Sequence, residues 1–283
     1  MTALSLKIEV DKKSGFCFGV VNAIGIAEEY LKKNDKLYCL GSIVHNKMEI
    51  QRLENLGMLT IHNDEYKKLK NETVLLRAHG EPPETFTTAK ENNIKLINAT
   101  CIIVNKLQKK LIELKKLSLP IFIFGNKNHP EIIGLNGQIK NEAVIFSSLD
   151  ELKKIEIPQR MILLSQTTKD VDEFYEIKEF LLKKEVVVDF HNTICTQVVN
   201  RKYELKDFAK RNDKIVFVAG RNSSNAKVLF GVSKNHNPNT FFITDTDELK
   251  KSWFNKNEKV GISGATSTPV WLINKVKRAL EDF

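Results

Sequence analysis

The chain has 283 residues, of which 42% are hydrophobic and 28% are charged, a composition typical of a globular protein with a substantial core. No apolar run reaches the roughly 20 residues that a membrane-spanning helix needs, and the N-terminal residues lack the apolar block of a secretory signal. The net charge of +9 comes from scattered lysines, without an arginine stripe or basic residues interleaved with aromatics. We therefore expect a cytoplasmic protein with neither a nucleic-acid nor a membrane partner.

Sequence motifs for common cofactors are absent. The chain contains no GxGxxG fingerprint and no GxxxxGK[ST] loop, so redox chemistry would need a carrier other than a nicotinamide bound in the usual way. It contains four cysteines, none of them in a CxxC pair. Since cytosolic thiols stay reduced, disulfides are not expected either.

The predicted elements, taken in chain order, repeat one pattern three times. A β-like run ends near a cysteine, and a helix follows, with apolar residues at three- and four-residue steps. Two apolar strands come next, each ending in a polar loop, and a second helix follows the later strand. In the first repeat these elements are the helix at 18–33 after Cys17, the strand at 36–42 before His45, the strand at 73–80 with His79, and the helix at 82–92.

The second and third repeats have the same spacing. The second contains the helix at 102–117 after Cys101, the strand at 120–125 before His129, the strand at 161–168 with Thr167, and the helix at 172–184. The third contains the helix at 196–211 after Cys195, the strand at 214–220 before Ser223, the strand at 260–269 with Ser267, and the helix at 269–280. His45, His129 and Ser223 each follow their cysteine by 28 residues. The last repeat lacks a closing strand, and we expect residues 6–10 to supply it.

This alternation predicts an α/β fold with small parallel sheets and right-handed crossovers. We predict a trefoil of three units about a pseudo-threefold axis, with boundaries at 17–100, 101–193, and 194–283 plus 1–16. Active sites of parallel sheets gather at the carboxyl ends of the strands. The cysteines and the polar loops should therefore converge at one place.

Three converging thiolates are a soft ligand set suited to iron–sulfur or zinc. Closed structural sites usually have four protein ligands, so Cys17, Cys101 and Cys195 on a 4Fe–4S cluster would leave one iron open. Cys39 lies inside a predicted strand and has no equivalent in the other repeats. We interpret it as a core residue.

The polar loops suit a compact anion such as a diphosphate, because they offer imidazole, hydroxyl, amide and backbone donors. These candidates are His45, His79, His129, Ser223, Ser224, Asn225 and Ser267. Glu131 fits either a general acid or a carboxylate that stabilises a helix N-terminus. Thr167 could relay a proton or bind a substrate hydroxyl. His62, His191 and His236 have no repeat equivalents, and we interpret them as structural or exposed.

Short motifs along the whole chain, in their order and spacing, resemble the LytB-type 4-hydroxy-3-methylbut-2-enyl diphosphate reductases, the last enzymes of the methylerythritol phosphate route to isoprenoids. The motifs are GFCFGV at 15–20, VHN at 44–46, AHG at 78–80, ATC at 99–101, HPE at 129–131, SQTT at 165–168, TIC at 193–195, NSSN at 222–225 and STP at 267–269.

The resemblance implies a trefoil around a 4Fe–4S cluster on the three cysteines, with a diphosphate pocket formed by the histidines, serines and Asn225 named above. It implies that Glu131 donates a proton, with His129 beside it, and that Thr167 lies near the substrate hydroxyl. The implied reaction removes that hydroxyl and yields isopentenyl or dimethylallyl diphosphate. A ferredoxin or flavodoxin would supply the electrons one at a time.

Three positions depart from the family pattern. Val198 replaces a usual threonine three residues after the third cysteine, Ile102 replaces a proline after the second, and the last loop reads SGATSTP. Two alternatives stay open at this stage. One is a three-cysteine enzyme similar to quinolinate synthase, which acts on dicarboxylates, and the other is a non-enzymatic iron–sulfur or zinc module.

Overall fold

The computed structural model describes residues 4–283 and has α/β architecture. The strands are β1 (Lys7–Val10), β2 (Leu37–Leu40), β3 (Met58–Ile61), β4 (Thr73–Leu76), β5 (Lys95–Asn98), β6 (Ile121–Phe124), β7 (Val144–Phe146), β8 (Arg160–Ser165), β9 (Val187–Phe190), β10 (Lys214–Val218), β11 (Thr240–Ile243) and β12 (Lys259–Gly264). The α-helices are α1 (Phe18–Leu31), α2 (Lys47–Glu54), α3 (Asn63–Tyr66), α4 (Pro83–Glu91), α5 (Ile102–Lys115), α6 (Pro130–Gly137), α7 (Leu149–Leu152), α8 (Val171–Lys183), α9 (Thr196–Lys210), α10 (Ser224–His236) and α11 (Val270–Glu281). Two 3₁₀ turns lie at Thr246–Glu248 and Lys251–Trp253.

The strands form three parallel four-stranded sheets with the same topology. Their orders are β3-β2-β4-β5, β7-β6-β8-β9 and β11-β10-β12-β1. In the third sheet β1 pairs in parallel with β12, with Lys7 opposite Lys259 and Val10 opposite Ile262. The N-terminal strand thus takes the place that β5 and β9 occupy in the other sheets, as predicted for residues 6–10.

One edge strand in each sheet was missed by the sequence analysis. These strands are β3, β7 and β11, and the helices α2 and α10 were missed as well, while α6 is the helix whose N-terminus was one of the two interpretations of Glu131. Each strand has only three or four residues and is partly exposed. Such a run shows too little periodicity to be separated from a loop, and no cysteine follows it to mark its end as one does after β5 and β9.

The chain forms two compact units. The central unit consists of Asn22–Ile43 and Glu54–Cys195 and contains the first two sheets. The split unit consists of Val44–Leu53, Thr196–Phe283 and the N-terminal segment up to Val21, and it contains the third sheet. The predicted three-unit boundaries therefore stay a prediction, and residues 1–3 of the predicted third unit lie outside the described residues.

Apolar strands buried between helices form the core of each unit. In the central unit, Ile123 and Ile162 pack against Leu111 and Leu135 of the flanking helices. In the split unit, Val216 and Ile262 pack with residues of α11. These layers fix the strand ends from which the polar loops emerge. Within residues 4–283, no helix has the length and apolar character needed to cross a membrane.

Candidate active site

Each repeat cysteine follows the outermost strand of its sheet and is fixed by the same backbone hydrogen bond. The amide of Cys101 donates to the Ala78 carbonyl at 3.0 Å, and that of Cys195 donates to Thr167 at 2.9 Å. In the split unit the amide of Cys17 donates to Thr266 at 3.0 Å. All three acceptors lie just after the neighbouring strand, β4, β8 or β12. The three cysteines therefore occupy equivalent positions in three equivalent sheets.

The Cys101 thiol is half-buried at the start of α5. Burial raises its pKa, and the backbone amides of Ile103 and Val104 oppose that shift. Cys195 and Glu131 in their ionised forms would raise this pKa further, so both groups lie within electrostatic reach of Cys101 in the central unit. A bound metal cation would stabilise the thiolate form, and the soft, half-exposed sulfurs of Cys101 and Cys195 fit an iron–sulfur site.

Cys39 differs from the other three cysteines. It is completely buried in β2, and its Sγ lies 3.2 Å from the Gly41 carbonyl oxygen. Burial raises the pKa of its thiol to about 12, so it stays protonated. This is the core position expected from the sequence. None of the four cysteines, all of which lie within the described range, forms a disulfide.

Glu131 is a buried acid whose carboxyl group hydrogen-bonds to Thr167. Its side chain is only 1% exposed in the first turn of α6. The Thr167 amide donates to Oε1 at 2.7 Å, and the Thr167 hydroxyl lies 2.7 Å from Oε2. Burial raises the pKa of Glu131 more than these two hydrogen bonds lower it. The carboxyl therefore tends to keep its proton, and the Thr167 hydroxyl can accept a hydrogen bond from that acid.

His129 and His79 lie side by side in the central unit. Their rings meet edge to face, with centroids 5.4 Å apart. His129 is the N-cap of α6, and its Nδ1 accepts the Glu131 amide at 3.2 Å. This bond leaves Nε2 as the nitrogen that can carry a proton in the neutral ring. The predicted neighbourhood of His79, His129, Glu131 and Thr167 is present within this unit.

In the split unit, the predicted hydroxyl and amide groups gather at the N-terminus of α10. Ser223 is its buried N-cap and lies 3.1 Å from Ser267, while Ser224 is the first helical residue. Asn225 Nδ2 donates to Thr266 Oγ1 at 2.7 Å, and its Oδ1 is buried with no hydrogen-bond partner in residues 4–283. With that amide rotated by 180°, Thr266 would donate to Oδ1, and the NH₂ group would take the position that now has no partner.

The backbone of His45 lies against the loop that leads to this group in the split unit. A Cβ on Gly220 would lie 1.9 Å from the His45 carbonyl oxygen, so only glycine permits this approach of the two loops. A helix N-terminus with hydroxyl and amide groups fits an anion such as phosphate. The structure thus groups the predicted residues within each unit.

Several contacts at the site were missed by the sequence analysis. Thr266 fixes Cys17 through its carbonyl and Asn225 through its hydroxyl. Gln166 accepts the Asn126 amide at 3.1 Å and donates to Thr168 at 2.7 Å, so it joins two strand-end loops. Their loop positions were visible in the sequence, but the partners depend on sheet register.

The remaining predicted features have ordinary surroundings. His62 is exposed, His191 lies 3.1 Å from Asp189, and His236 Nδ1 lies 2.9 Å from the Val232 carbonyl. Val198 is buried in the first turn of α9, and Ile102 is 55% exposed at the start of α5. Val198 therefore places a hydrocarbon where the family pattern has a hydroxyl.

Three parallel sheets flanked by helices, with equivalent strand-end cysteines and a buried acid, define the class as an α/β protein with a candidate metal site. A model of the LytB protein family matches residues 8–281, and the chain belongs to this family. The predicted family and α/β class are thereby confirmed.

Similar proteins are named consistently. A 4-hydroxy-3-methylbut-2-enyl diphosphate reductase from Bacteroides fragilis is 46% identical over 283 residues, covering 98% of each chain. Another from Chloroherpeton thalassium is 46% identical, covering 96% of this chain and 95% of that protein.

Solved structures agree with the sequence matches. One, of (E)-4-hydroxy-3-methyl-but-2-enyl diphosphate reductase, described as the terminal enzyme of the non-mevalonate pathway, has a TM-score of 0.72 at 33% identity. It covers 98% of this chain and 100% of that chain. The E-1-hydroxy-2-methyl-but-2-enyl-4-diphosphate reductase from Plasmodium falciparum has a TM-score of 0.88 at 27% identity, covering 97% and 87%. These matches favour the reductase over both alternatives left open by the sequence.

Proposed function

We propose that this chain, as a member of the reductase family, converts (E)-4-hydroxy-3-methylbut-2-enyl diphosphate into isopentenyl and dimethylallyl diphosphate. The substrate loses its hydroxyl as water when the C–O bond breaks, and a C–H bond forms. The balance requires two electrons and two protons for each turnover. The observation that supports this best is the buried Glu131 carboxyl, since its raised pKa keeps a proton available beside a hydroxyl group.

The proposed cofactor is a 4Fe–4S cluster held by Cys17, Cys101 and Cys195. Support comes from the equivalent backbone anchoring of the three cysteines and from the closeness of Cys101 to Cys195 in the central unit. Cys39 is unsuitable as a ligand because its buried thiol stays protonated. When bound, such a cluster supplies electrons and a Lewis-acidic iron that no protein side chain occupies.

The protein's part is to bind the diphosphate and to deliver protons. We assign the diphosphate to His45, Ser223, Ser224, Asn225 and Ser267, together with His79 and His129. Charge-assisted hydrogen bonds from such donors bind and orient the anion. Ser223, Asn225 and Ser267 are buried, so water does not compete for their donor groups. A hydrogen bond from such a donor to a phosphate oxygen is stronger than the same bond in water.

Glu131 would give its proton through the Thr167 hydroxyl or directly to the substrate. In the acid form, Glu131 Oε2–H donates to Thr167 Oγ1, whose own hydrogen is then free to point at a substrate oxygen. His129 keeps the acid in place by accepting the Glu131 amide. After one proton leaves, Glu131 must take another from solvent or from a neighbouring group. Electrons would come from a ferredoxin or flavodoxin, and the expected location remains cytoplasmic.

The decisive experiment is anaerobic turnover of the hydroxymethylbutenyl diphosphate with viologen reduced by dithionite, followed by identification of the products. We expect both isopentenyl and dimethylallyl diphosphate from iron-loaded protein. An iron-loaded protein that consumes no substrate would refute the proposal.

The ligand assignment needs its own comparison. Cys101→Ser should lose most of the bound iron and its visible absorbance, whereas the matched Cys39→Ser variant should keep both. Equal iron contents in the two variants, or zinc in place of iron in the wild type, would count against the cluster.

A further inference from the structure

A buried ion pair flanks His79 in the central unit, and the proposed mechanism does not use it. Arg77 Nε lies 3.4 Å from Glu81 Oε1, and the two side chains are only 14% and 8% exposed. Among the described residues, neither atom has a hydrogen-bond partner. We name residues 77–81 the His79 loop, since the pair closes its two ends around His79.

The Arg77 guanidinium lies directly against the backbone of Gly41. A Cβ on Gly41 would come within 2.2 Å of Arg77 Nη1 and 2.5 Å of Cζ. Gly41 also has a φ of +72°, which favours glycine. The absence of a side chain at Gly41 therefore opens the space in which the guanidinium faces Glu81.

The His79 loop is tied to the rest of the unit at several points. The Ala78 carbonyl accepts the Cys101 amide, and the Glu81 carbonyl accepts Gln138 Nε2 at 3.0 Å. A Cβ on Gly134 would lie 2.7 Å from the Gly80 carbonyl, so α6 packs closely on the loop. A shift of this loop would therefore move His79 relative to His129, which belongs to α6's N-terminus.

A buried ion pair is a poor source of stability, because hydrophobic residues of similar volume often serve as well or better. The geometry of the pair points instead to a role in positioning. The attraction between Arg77 and Glu81 holds the two ends of the His79 loop at a fixed separation. The burial of Glu81 raises its pKa, and the Arg77 guanidinium counteracts that shift, which indicates a pair that interacts in the folded protein.

We propose that Arg77 and Glu81 are positioning residues: their ion pair, seated on Gly41, holds His79 in the orientation that binds the substrate's diphosphate. The inference rests on the proposed diphosphate site, and it goes beyond it by assigning a role to two residues that need not touch the ligand. The pair acts on binding through His79 and leaves the proton supply of Glu131 in place.

Steady-state kinetics of Arg77→Met, Arg77→Lys and Glu81→Gln test the proposal, with inorganic diphosphate binding by calorimetry as a second readout. We expect KM and the diphosphate Kd to rise about tenfold in Arg77→Met, the size of one charge-assisted hydrogen bond lost between His79 and the diphosphate, with kcat changed much less. Arg77→Lys should recover part of this loss. Iron content should equal that of the wild type.

Lys277→Met is the matched control, since Lys277 and Glu281 form an exposed pair at 3.6 Å with the same four-residue spacing. Its KM should not change. The proposal is wrong if Arg77→Met lowers only the melting temperature while KM and Kd stay at wild-type values. If Arg77→Met does not fold, unchanged KM and Kd in both Arg77→Lys and Glu81→Gln would overturn it.

Gly41→Ala disturbs the same ion pair without changing either charged residue. The added methyl group should push the guanidinium off the backbone and raise KM and Kd in the same direction as Arg77→Met. Because diphosphate binding does not depend on turnover, an inactive wild type that binds diphosphate would refute the proposed function alone. A wild type that binds no diphosphate would overturn both.

Discussion

Glu131 and Glu81 are two buried carboxyls of the central unit, 1% and 7% exposed, with different neighbours. Both have a raised pKa, and burial is the main cause in each case. Among residues 4–283, the Glu131 carboxylate hydrogen-bonds to the amide and hydroxyl of Thr167, whereas the Glu81 carboxylate faces the Arg77 guanidinium. A carboxyl without a cation keeps a proton that it can deliver, and a carboxyl beside a cation is better suited to hold structure.

The difference leads to opposite kinetic expectations for the same substitution. Glu131→Gln removes the proton but keeps the shape and both hydrogen bonds, because the amide can accept from the Thr167 backbone and donate to its hydroxyl. We expect kcat to fall about 10²- to 10⁴-fold, the usual loss for a general acid, with KM and iron content nearly unchanged. Anaerobic turnover and iron analysis measure this.

Glu81→Gln is the comparison for this first prediction. It should raise KM much more than it lowers kcat, since it weakens the hold on the His79 loop and leaves Glu131 intact. A near-normal kcat in Glu131→Gln would remove Glu131 from its role as acid. Equal losses of kcat in the two variants would contradict the assignment of Glu131 as proton donor and of Glu81 as a positioning residue.

Thr167 offers a smaller test of the Glu131 environment. Thr167→Val keeps the backbone amide bond to Oε1 and removes the hydroxyl at Oε2. We expect a loss of about tenfold in kcat and about 1 kcal/mol in the free energy of unfolding, as for one buried hydrogen bond. Kinetics and denaturant unfolding measure the two effects.

Thr167→Ser is the matched control, because it retains the hydroxyl and should keep most of the activity. Wild-type kcat in Thr167→Val would show that the Thr167 hydroxyl neither relays the proton nor orients the acid.

Sequence spacing predicted the parts of this site that depend on strand order. Parallel strands end at one edge of a sheet, so the loops after β6 and β8 were expected to meet, and Glu131 and Thr167 do so across 36 positions of sequence. The burial of Cys39 and the pairing of β1 also follow from pattern, because each needs only the position of a residue within a repeat.

The Arg77–Glu81 pair could not be predicted in this way. Its contact requires the backbone of Gly41 at a φ of +72° under the guanidinium, and β2 and β4 must lie side by side in the correct register. These are tertiary conditions that no local propensity encodes. The only signal in the sequence was the presence of two charged residues, Arg77 and Glu81, around a histidine at the end of an apolar strand.

The smallest expected effect is a difference between the titrations of Glu131 and Glu81. Folding raises the pKa of Glu131 above the usual glutamate value of 4.5, so the folded state holds this proton more tightly than the unfolded chain. The resulting stabilisation is complete below pH 4.5 and disappears as the pH rises through the folded pKa. The melting temperature of the wild type relative to Glu131→Gln should therefore decrease as the pH rises.

Infrared spectra of the protonated carboxyl group assign the two titrations, since the band of each glutamate is missing from its Gln variant. In Arg77→Met the Glu81 band should persist to higher pH, because the guanidinium that lowers its pKa is gone. The Glu131 band should keep its wild-type titration, because its pKa depends on burial and on Thr167. A Glu131 band that shifts together with that of Glu81 would mean that the two acids are one coupled system, and the division between proton donor and loop-positioning carboxyl would fail.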